Sequence, residues 1–93
     1  MTESKGRGED IMKKEVRVST DCIFEVSALA KLVGIANNFS STLSFEMDNK
    51  IVNVKSIMGI MGFGLDLGKE VSIYAEGDDE AEAISAMEEF LTK

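Results

Sequence analysis

The apolar residues of this chain change their spacing several times, and the order of those changes is the strongest constraint on its fold. In some segments they alternate with polar residues, which is typical of half-buried strands. In others they recur every three or four residues, which is typical of amphipathic helices. The segments in chain order are a strand at Val16 and Val18, a helix at 28–36, a hairpin at 42–54, a helix at 56–63, a strand at 71–75 and a helix at 78–91.

This order, β-α-β-β-α-β-α, predicts an α+β fold in which a four-stranded, mostly antiparallel sheet carries three helices on one face. Asp48-Asn49 provides the hairpin turn, because asparagine tolerates positive φ. Ser27 is the predicted N-cap of the first helix. The polar, glycine-containing segment 1–12 predicts a disordered tail, which leaves one domain at 13–93.

Charge and composition exclude several classes of partner. The net charge is −7, from 17 acidic and 10 basic residues, which argues against binding to nucleic acid or to anionic lipid. A basic protein surface is the natural counterpart. The single cysteine, Cys22, allows no intramolecular disulfide, and no apolar run reaches the roughly 20 residues of a membrane span. We therefore expect a cytoplasmic protein.

The chain contains no histidine, so neither a Ser–His nor a Cys–His catalytic pair can form. The acidic run 78–82 resembles a solvated helix start more than a metal site. Cys22 has no cationic neighbour in the sequence and is expected to be unreactive. The sequence therefore predicts neither an enzyme nor a bound cofactor or metal.

Ser56 precedes a short helix, and its hydroxyl can cap an unpaired backbone N–H, worth about 1 kcal/mol. A phosphorylated Ser56 is the alternative. A phosphate at this position would lie at the positive end of the helix dipole and would add a charge of about −2 beside apolar residues. Lys55 could neutralise part of that charge.

Apolar residues crowd this helix, which has only about two turns and can bury only one stripe. We expect Ile57, Met58 and Met61 to be exposed and to form a docking site, because methionine adapts to more than one partner. The alternative is a core segment in which methionine fills gaps.

The segment 53–61, N-V-K-S-I-M-G-I-M, resembles the segment N-L-K-S-I-M-G-V-M of HPr, the small phosphocarrier of the bacterial sugar phosphotransferase system. The resemblance runs from about Lys14 to Thr92 and includes the turn at 48–50 and Gly77. It implies the open-faced β-sandwich of HPr, and it implies that Ser56 is a regulatory phosphorylation site.

HPr proteins carry their active histidine in a G-I-H-A-R-P-A motif, and the chain departs from it. The ungapped register places the motif on residues 23–29, with Glu25 at the histidine position and Ser27 at the arginine position. Glu25 is a poor phosphate acceptor here, because the arginine that would stabilise the transferring phosphoryl group is missing. One hypothesis is that Glu25 permanently imitates a phosphorylated state. The alternative is that Glu25 is a surface glutamate favoured by the helix dipole.

The resemblance implies a non-catalytic regulatory protein of the phosphotransferase system and of carbon catabolite repression. Within the family it is similar to Crh, which lacks the histidine and keeps the serine. The implied partners are the HPr kinase/phosphorylase and a catabolite-control transcription regulator or another phosphotransferase-system protein. The alternative is a constitutive binding module that needs no phosphorylation. The predicted partner-binding residues are Lys55, Ile57, Met58 and Met61.

Overall fold

The computed structural model describes residues 11–19, 26–65 and 67–92. Its elements follow the predicted order β-α-β-β-α-β-α, which is confirmed. They are β1 (Ile11–Arg17), α1 (Val26–Ala36), β2 (Thr42–Met47), β3 (Lys50–Asn53), α2 (Ile57–Met61), β4 (Glu70–Glu76) and α3 (Glu80–Thr92).

The four strands form one sheet in the order β1-β4-β2-β3, and each pairing is antiparallel. The three helices cover one face, so the predicted open-faced layering is confirmed. Because side chains alternate along a strand, every second residue of β2 and β4 points into the core. The buried residues of these two strands are Leu43, Phe45, Met47, Val71, Ile73 and Ala75.

The opposite face of the sheet carries polar side chains and is open to solvent. Tyr74 donates a hydrogen bond from its hydroxyl to Glu46 Oε1 at 2.7 Å, and Lys13 Nζ lies 5.6 Å from the centre of the Tyr74 ring. The hydrogen bond to Glu46 favours the protonated phenol and raises the pKa of Tyr74 above its ordinary value.

The hairpin between β2 and β3 turns at the predicted residues. Asp48 and Asn49 have φ values of 53° and 66°, and positive φ at both central residues defines the tight turn that matches the twist of two antiparallel strands. The turn fixes the register in which Met47 faces Lys50. The hairpin prediction is therefore confirmed.

Two predicted boundaries differ from the structure. Helix α1 begins at Val26, so Ser27 lies inside its first turn and is not the N-cap. A capping preference marks a candidate position, but the preceding residue has already joined the helix here. Strand β1 begins at Ile11 because Ile11 and Met12 pair with Glu76 and Ala75. It thus includes the last two residues of the predicted tail 1–12, whose first ten lie outside the described residues.

None of the helices in the described part of the chain is both long enough and apolar enough to span a bilayer.

Candidate functional site

Ser56 is the N-cap of α2, as the sequence predicts. Its backbone is extended, with φ −105° and ψ 112°. Its Oγ accepts a hydrogen bond from the backbone N–H of Gly59 at 3.2 Å, and its carbonyl accepts from Ile60 N at 3.0 Å. The helix ends at Gly62. Ser56 therefore caps a helix of five residues. The donor–acceptor distance of its capping hydrogen bond is at the long end of the usual range.

The segment that leads into Ser56 is held by two asparagine side chains. Asn53 Oδ1 accepts from Lys55 N at 2.9 Å. Asn37, just beyond α1, donates from Nδ2 to Val33 O at 2.9 Å and to Lys55 O at 3.4 Å. The end of α1 thereby fixes the loop before Ser56, so the hydroxyl of this half-buried serine occupies a defined place.

Gly59 allows α2 to lie directly on β3. A Cβ atom at this position would stand 2.7 Å from Val52 Cγ2 and 3.4 Å from Ser56 Oγ. The β-branched side chain of Val52 cannot easily move aside to relieve so close a contact. Any residue larger than glycine at position 59 would therefore push α2 away from the sheet. The close approach gives α2 one face on the core and one face in solvent.

The apolar residues of α2 divide between those two faces. Ile60 is buried, and so is Phe63 just after the helix, whereas Met58 is 79% exposed and Met61 is 48% exposed. Ile57 is half-buried. The two methionines thus have the exposure expected of them, and Ile57 has it only in part. We call Lys55, Ile57, Met58 and Met61 the α2 surface. Its binding role remains a prediction.

Lys55 points its ammonium group at the end of α1. Its Nζ donates to the carbonyl oxygen of Phe39 at 2.7 Å, in a partly buried position. This bond satisfies the ammonium with a backbone acceptor and leaves the side chain half-buried beside Ser56. Neutralisation of a phosphate on Ser56 would require Lys55 to give up or share that acceptor.

The positions that match the lost histidine motif are only partly visible. Ser27 is exposed in the first turn of α1. Glu25 and Cys22 lie outside the described residues, so the roles predicted for them remain predictions. Across the parts of the chain that the structure describes, no three histidine, cysteine, aspartate or glutamate side chains lie close enough to hold a metal ion.

A second helix entrance, whose contacts the sequence pattern does not reveal, lies at Asp79 directly before α3. Asp79 accepts from Ser40 N and Ser41 N, both at 2.9 Å, and from the hydroxyl of the buried Ser41. The hydroxyl of Ser41, followed by the Ser40 N–H, holds the pKa of Asp79 below its ordinary value, because these bonds favour the carboxylate. The partners lie 38 and 39 residues apart in the chain, so no local pattern reveals them.

Gly77 makes this cluster possible. Its φ is +151°, and a Cβ atom would stand 2.7 Å from both Cα and Oγ of Ser41. Glu80 Oε1 accepts from Gly77 N at 3.1 Å. The glycine before the acidic pair was the one signal in the sequence that could have pointed to a close approach.

Comparison with known proteins agrees with the fold. The family model described as the PTS HPr component phosphorylation site matches residues 12–93. The phosphocarrier HPr of Bacillus anthracis has 36% identity and a TM-score of 0.83, over 87% of this chain and 96% of that one. HPr-C-His of Thermoanaerobacter tengcongensis has 41% identity and a TM-score of 0.72, over 88% and 90%.

A third similar structure is the solution structure of Crh, the catabolite repression HPr of Bacillus subtilis. It has 36% identity and a TM-score of 0.71, over 90% of this chain and 98% of that one. Proteins of this kind are phosphocarriers rather than catalysts, and the likeness to Crh supports a regulatory role. The chain belongs to the HPr family of the bacterial phosphotransferase system.

Proposed function

We propose that this chain is a non-catalytic, HPr-like regulator of the phosphotransferase system and of carbon catabolite control, switched by phosphorylation of Ser56. One observation carries the proposal: the Ser56 hydroxyl lies at the start of α2, beside the exposed Met58 and Met61. The chain has no histidine, so the phosphohistidine chemistry of a carrier is closed to it.

The switching step is a phosphoryl transfer from ATP to Ser56 Oγ by an HPr kinase/phosphorylase. The bond between Oγ and phosphorus forms, the bond to the β–γ bridging oxygen breaks, ADP leaves, and a base on the kinase takes the hydroxyl proton. The existing cap from Gly59 N is 3.2 Å long, so little is lost when phosphate oxygens take over as acceptors. The fold can therefore tolerate the modification.

The α2 surface is the proposed docking site for a catabolite-control transcription regulator or another phosphotransferase-system protein. Two exposed methionines supply adaptable apolar contact area. A phosphate on Ser56 would place about two negative charges next to them. A partner with an apolar groove beside a basic residue fits this combination, and the added charge makes its binding depend on the kinase.

A second candidate function is a constitutive binding module that uses the same surface without phosphorylation. Met58 is 79% exposed in the unmodified chain, so the apolar part of the surface needs no switch to become available. In this version Glu25 imitates a phosphorylated histidine.

The first experiment treats the full chain with ATP and an HPr kinase/phosphorylase that is active on a true HPr, and locates the product by mass spectrometry. We expect one phosphate, on Ser56, and none on the Ser56→Ala variant. Ser40→Ala is the matched control, because Ser40 is an exposed serine outside α2, and it should accept phosphate as the wild type does. Phosphate on Ser56→Ala would show that the site is wrong.

The second experiment separates the two candidate functions. Binding of the regulator is measured by calorimetry with modified and unmodified protein, in the wild type and in Met58→Ala. The switch predicts binding that appears on phosphorylation and weakens about tenfold in Met58→Ala. Ile51→Ala is the control, since Ile51 is 69% exposed on the open face of the sheet. Equal binding before and after phosphorylation would favour the constitutive module.

A further inference from the structure

The described methionines of this chain differ widely in exposure. Met58 and Met61, both on α2, are 79% and 48% exposed. Met47 and Met87 belong to the core, at 5% and 0%. Met12, on β1, lies between these extremes at 37%. A thioether has no ionisable proton, so access of dissolved oxidants to the sulfur decides how readily it is oxidised. The two methionines of α2 are therefore the most open to oxidation among the described ones.

These two methionines are neighbours on one helix, and other residues anchor that helix. Met58 and Met61 are three positions apart, a spacing that brings Cβ atoms to about 5–6 Å from each other. Ile60 is buried and packs in the core, and Gly59 allows the close approach of α2 to Val52. The helix thus keeps its place on the sheet through residues other than the two methionines. An oxygen atom added to either sulfur can be accommodated in solvent.

The modification is the transfer of one oxygen atom from a peroxide to a thioether. A sulfur lone pair attacks one oxygen of hydrogen peroxide, the S–O bond forms and the O–O bond breaks. The departing hydroxide takes the proton from the transferred oxygen and becomes water, so sulfur loses two electrons and the peroxide gains them. The reverse step uses a thiol-dependent reductase, whose two thiols become a disulfide while the oxygen leaves as water.

Methionine sulfoxide changes the property of the α2 surface on which the proposed docking depends. A partner groove that suits methionine presents apolar atoms, so it offers no hydrogen-bond donor to the sulfoxide oxygen. Burial of a polar group without such a donor is unfavourable. Met47 and Met87 remain shielded in the core, so oxidation at Met58 and Met61 weakens recognition and leaves the fold in place.

We propose that Met58 and Met61 form a reversible oxidation site that turns off the α2 surface. The inference rests on the proposed function, because it assigns a second input to the same docking surface. Phosphorylation of Ser56 adds negative charge at the start of α2, and oxidation removes the apolar contact beside it. The partner then binds tightly only when Ser56 is phosphorylated and both methionines are reduced.

Peptide mapping by mass spectrometry, after treatment of the full chain with hydrogen peroxide, tests the site without any partner. We expect sulfoxide to appear first at Met58 and Met61 and more slowly at Met12. Met47 and Met87 should react only after urea unfolds the chain. Circular dichroism measures whether the oxidised protein stays folded. Oxidation of Met47 or Met87 in the folded chain as fast as that of Met58, or loss of the fold once Met58 and Met61 have reacted, would overturn the proposal.

Calorimetry with the catabolite-control regulator tests the effect on recognition. The wild type phosphorylated on Ser56 should bind about tenfold more weakly after peroxide treatment, and a methionine sulfoxide reductase with a thiol should restore the affinity. Met12→Leu is the matched control, because Met12 lies outside the α2 surface, and it should respond as the wild type does. Met58→Leu combined with Met61→Leu, compared with its own untreated form, should show no peroxide effect. This variant keeps Cys22, so it also reports any effect of thiol oxidation.

The possible outcomes distinguish the oxidation site from the proposed function. If the reduced, phosphorylated wild type does not bind the regulator, the proposed function fails, and with it the docking surface on which oxidation is proposed to act. Unchanged binding after complete oxidation of Met58 and Met61 would overturn the oxidation site alone. A peroxide effect of equal size in the double leucine variant would also overturn it, because the sensitive residue would then lie elsewhere.

Discussion

The helices α2 and α3 begin in contrasting ways. Ser56 opens α2 with a bond that reaches three residues along the chain, to Gly59 N. Asp79 precedes α3 and accepts three bonds from Ser40 and Ser41, which lie directly before β2. One entrance is a local cap made by a half-buried serine. The other ties distant segments together around a buried hydroxyl.

The difference separates the proposed modification site from a site that holds the fold. A local cap exchanges one acceptor for another at small cost, so the proposed phosphorylation of Ser56 is expected to leave the fold intact. A buried hydroxyl bonded to a carboxylate has no spare space or acceptor. Substitutions at the α3 entrance should therefore affect global stability, and substitutions at the α2 entrance should act mainly on recognition.

The largest effect is expected at Gly77, where an added Cβ would strike the backbone of Ser41 and break the α3 entrance. Gly77→Ala should lower the free energy of unfolding by about 3 kcal/mol, from the unfavourable φ and from overpacking. Urea denaturation measures it. Gly34→Ala is the control: no atom lies within 4 Å of its Cβ, and alanine should stabilise α1 by about 0.5–1 kcal/mol. Two variants of equal stability would contradict the assigned role of Gly77.

An intermediate effect should appear in the pH dependence of stability, because the pKa of Asp79 is lowered in the folded chain. A lowered folded pKa stabilises the fold above the ordinary value of 3.8, and this contribution is lost as pH falls through the folded value. Asp79→Asn should thus be less stable than the wild type at pH 7, and the difference should shrink on acidification below about pH 4. Urea midpoints across this range measure it.

The exposed neighbour Asp78 provides the control for that measurement. Asp78→Asn should keep the pH dependence of the wild type. Curves for Asp79→Asn and the wild type that stay parallel from neutral to acidic pH would show that the bonds from Ser40 and Ser41 do not favour the ionised carboxylate.

The smallest effect is expected at the α2 entrance. Ser56→Ala should cost about 1 kcal/mol, the usual value of an N-cap, and Ser56→Asp should cost less because aspartate caps well. Hydrogen exchange should show the loss at the Gly59 amide and leave the Ser41 amide protected. A loss of protection at both amides would mean that the two entrances are coupled, and the comparison between them would fail.

The sequence predicted what depends on local pattern. Alternation placed the strands, Asp48-Asn49 placed the hairpin, and the position of Ser56 before an apolar run identified a cap that the structure confirms. Each of these rests on residues a few positions apart. The prediction of Ser27 as the N-cap of α1 was wrong, because the helix begins at Val26. A helix that begins one residue before the candidate cap has almost the same pattern of apolar residues.

The Asp79 cluster could not be predicted in this way. The acidic run at 78–82 resembles a solvated helix start, which accounts for the charge but not for the acceptor role of one carboxylate. That role depends on the fold placing Ser41, which lies 38 positions earlier in the sequence, next to Asp79. It also depends on the space left by the missing side chain of Gly77. Long-range polar contacts of this kind follow from the assembled fold. The helix and strand periodicities of the sequence do not reveal them.

The order of the strands has a consequence for synthesis on the ribosome. Strand β1 is made first, but its partner β4 comes late, since even the nearest paired residues, Arg17 and Glu70, are 53 positions apart. At about 5–20 residues per second, β1 waits roughly 3–10 s for its partner. During that interval the nascent chain holds an unpaired strand whose lysines, Lys13 and Lys14, discourage pairing with other unfinished chains.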